Sequence, residues 1–136
     1  MLDINHPEIL AEVAEAFRRY EAALTGNDVA TLDELFWSSD HVVRYGATEN
    51  LYGHKEILAF RKARPSAGLE RTLRNTVITT FGRDFATAST EFSRPSSARI
   101  GRQSQSWARL PEGWRIVAAH VSWMEMLVLG GASVNG

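Results

Sequence analysis

Arg44 stands in the run Val42-Val43-Arg44-Tyr45-Gly46, where a permanently charged guanidinium follows two β-branched residues. In a partly dry pocket a guanidinium grips a carboxylate through two parallel hydrogen bonds. Each such charge-assisted bond contributes about 1.5–3 kcal/mol. The alternative is a surface or interface salt bridge. Tyr20 falls in register with Phe17 and Leu24 on an apolar stripe. Its ring can pack there while its hydroxyl reaches a cavity. A phenol so placed donates to a substrate carbonyl as charge develops, or relays a proton; otherwise it is a core tyrosine bonded to backbone. His120, flanked at two-residue spacing by Ala118 and Ser122, has room beside it for a role as acid or base; otherwise it is a structural histidine. Tyr45, Arg71 and Glu91 complete the polar candidates on strand-like segments and, with His120, are taken as substrate-binding.

These residues need a scaffold, and the sequence describes one. A first helix starts at Asn5 or His6 as cap, with Pro7 in its first turn, and buries Ile9, Val13, Ala16, Phe17, Tyr20 and Leu24 before Gly26 ends it. Asp28 caps a second helix, Val29 to Phe36. A short strand runs from His41 to Tyr45, a loop from Gly46 to Gly53, and a third helix from His54 to Arg64, stopped by Pro65. Four strands follow as a meander: Glu70 to Phe81, Phe85 to Arg94, Ile100 to Leu110 and Trp114 to Met124. The tail, 125–136, reads as loose. Helices segregated from an antiparallel sheet give an α+β domain. A long curved sheet with helices over one face makes a cone, and its mouth is a ligand site. In the strand after Ile100, Arg102, Ser104 and Ser106 share one face and Gln103, Gln105 and Trp107 the other; period alone leaves open which looks inward.

Composition narrows the chemistry. The 136 residues fit one domain, and no cysteine is present, which excludes thiol nucleophiles, disulfides and thiolate zinc sites. Fifteen basic and sixteen acidic residues give a net charge of -1, with no bulk positive field for nucleic acid. Neither a membrane span nor a signal peptide is evident, so the expectation is a soluble cytoplasmic protein. The four histidines lack metal-ligand spacing, and there is no Gly-rich phosphate loop or Gly-x-Ser-x-Gly elbow. No metal or other cofactor is therefore expected. Arg61, Lys62 and Arg64 read as a solvated helix end that complements the helix dipole.

The order of elements resembles the nuclear-transport-factor-2-like (SnoaL-like) superfamily of cone-shaped α+β domains, three helices on a curved antiparallel sheet. The last two strands, with Ser104-Gln105-Ser106, a turn, Trp114 and His120-Val121-Ser122, resemble the association domain of calcium/calmodulin-dependent protein kinase. A fuller resemblance rests on Arg18-Arg19-Tyr20-Glu21-Ala22-Ala23-Leu24, Val43-Arg44-Tyr45-Gly46, Glu49-Asn50-Leu51-Tyr52-Gly53 and the Ile100 to Ser122 hairpin; these are similar to the AtzH-like family of ureide and cyanuric-acid catabolism. It implies a cofactor-free decarboxylating amidohydrolase that converts 1,3-dicarboxyurea to allophanate and carbon dioxide, with Tyr20 and Arg44 in the active site. Two rivals stand beside it. One is a non-catalytic module serving a partner amidohydrolase, with the sheet face bearing Trp107 and Trp123 as a subunit interface. The other is a proton-transfer isomerase or cyclase using Glu91 as base. A homodimer is expected in either case, because one set of helices cannot cover both faces of an open sheet.

Overall fold

The computed structural model describes residues 1–125, 127–129 and 132–134. The chain runs α1 (Pro7–Thr25), α2 (Val29–Leu35), β1 (Val43–Tyr45), β2 (Asn50–Tyr52), α3 (Gly53–Ala63), β3 (Thr72–Phe81), β4 (Phe85–Ser93), β5 (Gly101–Leu110), β6 (Gly113–Trp123), β7 (Leu127–Leu129) and β8 (Ala132–Val134). Strands one to six form a single sheet in the order β2-β1-β6-β5-β4-β3, and β7 pairs only with β8. The tail expected to be loose thus carries a short hairpin within its described residues. Among the described residues no helix is long and apolar enough to cross a membrane.

α1 begins where Pro7 occupies the first turn, a position whose N–H would be unpaired in any case. His6 sits at the cap without a side-chain bond. Asn5 adopts a left-handed φ of 57°, and its Oδ1 accepts the Thr80 N–H at 2.9 Å. It therefore ties the start of α1 to β3 rather than capping the helix. Asp28 does cap α2, accepting the Thr31 N–H at 3.1 Å.

Two expectations are corrected. The segment 46–53 is not all loop: Gly46 N–H bonds Glu49 O at 2.8 Å, a tight turn that folds β2 back on β1 with Tyr45 opposite Asn50. The sheet is also mixed, because β1 runs parallel to β6, with Arg44 opposite Ala119. The cause lies upstream. Phe36 already bridges Ile116 in the parallel sense, and Trp37 N–H bonds Ile116 O at 3.0 Å, so the chain leaves α2 moving along β6.

Helices cover one face of this sheet. On β5, Gln103, Gln105 and Trp107 are buried and point toward them, whereas Arg102 and Ser104 are exposed on the other side. Trp107 lies fully inside the core with Leu32, Leu35, Phe36 and Ile116. Fully burying side chains of this kind contributes about 1.5–3 kcal/mol each. Trp123 also faces inward, its ring 5.1 Å from that of Phe92. Trp107 is thus core, so this face is packed against the helices where the non-catalytic rival would place a subunit interface.

Candidate active site

Strand register places Arg44, Ala119, Gln105 and Ala88 in one row across β1, β6, β5 and β4, all on the covered face. The two alanines are short, and the polar ends of the row reach the space beneath the helices. Tyr20 enters that space from α1 and Arg61 from α3. Arg61 Nη2 donates to the Tyr20 hydroxyl at 3.0 Å. Its guanidinium carbon lies 6.0 Å from the centroid of the Tyr20 ring and 5.6 Å from that of Phe36. Tyr20 is 2% exposed and Arg61 only 1%.

Two more guanidinium groups flank this pair, each with a carboxylate. Arg44 Nη1 donates to Glu49 Oε2 at 2.8 Å, and its guanidinium lies over Phe60 at 5.1 Å. Glycine at 46 is required for this approach: a Cβ there would stand 1.6 Å from Glu49 Oε2. Arg71 holds Glu21 in a two-bond fork, Nε to Oε2 at 2.8 Å and Nη2 to Oε1 at 2.6 Å. Arg71 Nη2 also donates to Gln103 Oε1 at 3.0 Å. It stacks 4.6 Å over Phe92, whose ring fills the space where a Cβ on residue 101 would be; only glycine fits there. Arg64, at the end of α3, is half-buried and lies 5.8 Å from the Phe60 centroid.

The charges act on one another. Burial pushes the Tyr20 phenol up, but the positive fields of Arg61, Arg44 and Arg71, with the Arg61 hydrogen bond, outweigh it and hold the phenol below its ordinary range. Burial depresses Arg61, an effect that Tyr20 opposes and Arg44 and Arg71 reinforce. Burial, then repulsion from Arg61, brings Arg64 down to about 10. Glu49 is raised by burial but lowered more by hydrogen bonds from Thr48 and Arg44 and by the Arg44 charge, so it stays ionised below the ordinary carboxylate range.

Seven buried nitrogens here have no hydrogen-bond partner: Arg44 Nε, Arg61 Nε and Nη1, Arg64 Nε and Nη2, Gln103 Nε2 and Gln105 Nε2. All are donors. Buried donors are normally paired, because each one left empty costs about 1–3 kcal/mol. A cluster whose unpaired buried polar atoms are all N–H donors suits an acceptor-rich anion. Among the described residues no three His, Asp or Glu side chains gather to hold a metal ion.

Of the six sequence candidates, the structure brings together Tyr20, Arg44 and Arg71 inside the cone. It sends Tyr45, His120 and Glu91 to the opposite face. There the Tyr45 and His120 rings meet edge to face at 5.7 Å, and the Tyr45 and Tyr52 hydroxyls lie 3.2 Å apart. Glu91 accepts from Asn75 Nδ2 at 2.9 Å and pairs with Arg74 at 3.4 Å. His120 lines an outer hollow of about 260 Å³ with Val43, Tyr45, Ser104 and Ser106, away from the guanidinium cluster.

The expectation of a solvated helix end is corrected for Arg61, which is among the most buried side chains of the protein, and for Arg64; only Lys62 is exposed. The signal was available. Arg61 and Arg64 lie four and seven residues beyond the buried Ile57, on the inward stripe of α3. Gln103 and Gln105 needed the face of β5 to be known.

The fold agrees with solved structures. A protein with unknown function from Pectobacterium atrosepticum is 68% identical, with a TM-score of 0.89 over 90% of this chain and 96% of that one. A cystatin-like fold protein from Burkholderia xenovorans is 47% identical, with a TM-score of 0.87 over 90% and 97%. A nuclear-transport-factor-2-like superfamily protein from Salmonella enterica is 24% identical, with a TM-score of 0.71 over 92% and 97%, and shares the cone fold. Among curated proteins no match was found. The AtzH-like family model matches residues 2–126, nearly the whole domain including every inward-facing group described above, and the chain belongs to the AtzH-like family.

Proposed function

We propose that the protein is a cofactor-free enzyme that removes one carboxyl group, as carbon dioxide, from a small dianionic ureide, with 1,3-dicarboxyurea as substrate and allophanate as product. The family resemblance implies the reaction. The observation that carries it is the surplus of guanidinium charge around Tyr20: Arg61 bonds its hydroxyl, Arg44 and Arg71 act on it and are paired with Glu49 and Glu21, and Arg61 itself has no carboxylate partner among the described residues.

The chemistry follows from where charge moves. The dianion gains one proton and yields allophanate and carbon dioxide; the bond between nitrogen and the departing carboxyl carbon breaks, and its electron pair goes to the nitrogen. Charge therefore leaves one carboxylate and develops along the ureido N–C–O unit. Guanidinium groups on the departing carboxylate would stabilise the ground state and slow the reaction; on the ureido oxygen and the retained carboxylate they stabilise the transition state. Tyr20 supplies the proton to nitrogen, and the adjacent Arg61 stabilises the phenolate left behind. The N-carboxy group is labile, so this route uses only groups the chain provides.

Glu91 faces away from the cluster, which counts against an isomerase or cyclase relying on it as base within the cone. The test is carbon dioxide and allophanate formation from freshly generated 1,3-dicarboxyurea by the purified protein, with Arg44→Ala and Tyr20→Phe as controls. Acceleration over the spontaneous reaction, lost in folded controls, supports the proposal. No acceleration by the wild-type protein refutes it and favours a binding module that serves a partner amidohydrolase.

A further inference from the structure

The four guanidinium groups divide into two kinds. Those of Arg44 and Arg71 are neutralised by Glu49 and Glu21. Those of Arg61 and Arg64, three residues apart at the end of α3, have no carboxylate among the described residues. Arg61 uses only Nη2, on Tyr20, and leaves Nε and Nη1 empty. Arg64 leaves Nε and Nη2 empty. This is the same edge with which Arg71 grips Glu21, the side of the guanidinium that matches both oxygens of a carboxylate. Two like charges at the end of α3, Arg61 buried and Arg64 half-buried, repel and are costly to desolvate unless an anion joins them.

We infer that Arg61 and Arg64 form a carboxylate subsite that holds the substrate carboxyl group retained in the product. The inference deepens the proposed function and rests on it for the identity of the substrate. A ligand with two carboxylates places one against this pair and keeps the other near Tyr20, free of a direct guanidinium clamp.

Monomethyl glutarate offers one carboxylate on a chain with the three-atom spacing of 1,3-dicarboxyurea and does not decarboxylate; dimethyl glutarate keeps the shape and has none. Calorimetric titration of the full-length protein with both probes tests the subsite without turnover. The wild type should bind the monoester at least about tenfold more tightly than the diester, the yield of one charge-assisted contact. Arg64→Gln should abolish the difference. Arg61→Lys, which keeps the charge but not the fork, should reduce it. Should Arg64→Gln fail to fold, Arg64→Met makes the same comparison. Equal binding of the two probes by the wild type, no monoester binding at millimolar concentration, or an undiminished preference in a folded Arg64 variant overturns the inference. A preference for the monoester without turnover of 1,3-dicarboxyurea removes the proposed reaction and leaves the subsite; turnover without the preference does the reverse.

Discussion

Replacing Arg61 by Met should make the protein more stable and abolish its activity. Arg61 is 1% exposed, and two of its donors, Nε and Nη1, have no partner. Removing them relieves about 2–6 kcal/mol at about 1–3 kcal/mol per empty buried donor. Repulsion from Arg44 and Arg71 also disappears. Against this, the bond to Tyr20 is lost, which strands the phenol oxygen at about 1–3 kcal/mol. The contacts over the Tyr20 and Phe36 rings contribute a further 0.5–2 kcal/mol, roughly. At mid-range the balance favours Met by about 1 kcal/mol, consistent with the gain often seen when buried ions give way to apolar side chains. For a domain of this size that is a rise in Tm of about 3–5 °C. The double variant Arg61→Met/Tyr20→Phe removes the stranded oxygen and should be more stable still. Turnover should fall by at least about a hundredfold, as when a preorganised donor is deleted. Calorimetric melting and an activity assay on the same preparations decide the matter. A loss of stability beyond about 2 kcal/mol that the double variant does not recover would mean that Arg61 holds the fold together, and the reasoning above would be wrong.

Other outcomes follow from the same geometry. Gly46→Ala should force Glu49 off Arg44, since its Cβ would stand 1.6 Å from Glu49 Oε2 and 2.9 Å from Arg44 Nη1; urea unfolding should show a loss of about 1–3 kcal/mol, and wild-type stability would mean that the ion pair contributes little. The phenol of Tyr20 is pushed up by burial but held down, on balance, by Arg61, Arg44 and Arg71. The unfolded chain therefore binds more protons between the folded pKa and about 10, and stability should rise with pH across that window. The rise should vanish in Tyr20→Phe; a flat wild-type profile below pH 10 would contradict the depressed value. If Tyr20 donates the proton, kcat should fall as pH rises through its folded pKa, and a rate that still climbs there would exclude that role. His120→Ala and Tyr45→Phe, on the opposite face, should keep turnover within about threefold; a larger loss would mean that the outer face takes part in the reaction. That face also exposes Tyr52, Val77 and Phe85, so sedimentation should show a two-fold pair, and a strictly monomeric mass would refute the pairing.

Much of the fold was legible because burial leaves a period in the sequence. The stripe Ile9-Val13-Phe17-Tyr20-Leu24 marks one face of α1, and these residues are all buried. Asp28 marks the start of α2, and the turns after Phe81 and Leu110 mark hairpins that form as expected. Arg44 and Tyr20 could be nominated because their residue types suit a carboxylate and because the family patches contain them. The same helical period carried the information for Arg61, but an arginine beside a lysine at a helix end resembles an ordinary solvated terminus; only the packing of α3 against Tyr20 and Phe36 distinguishes the two. Which side of a strand is wet is different in kind. Alternation makes both faces of β5 polar, and the sequence is nearly symmetric between Gln103-Gln105 and Ser104-Ser106. The choice is made by residues far away: helices covering one face, Phe36 entering alongside Ile116, and β1 added parallel to β6. Those long-range pairings send Arg44 and Arg71 inward and Tyr45, His120 and Glu91 outward. Local sequence therefore determined the elements and the chemical types available. The tertiary structure alone decided which charges cluster together, because the parity of a strand fixes relative orientation and only its neighbours fix the absolute one.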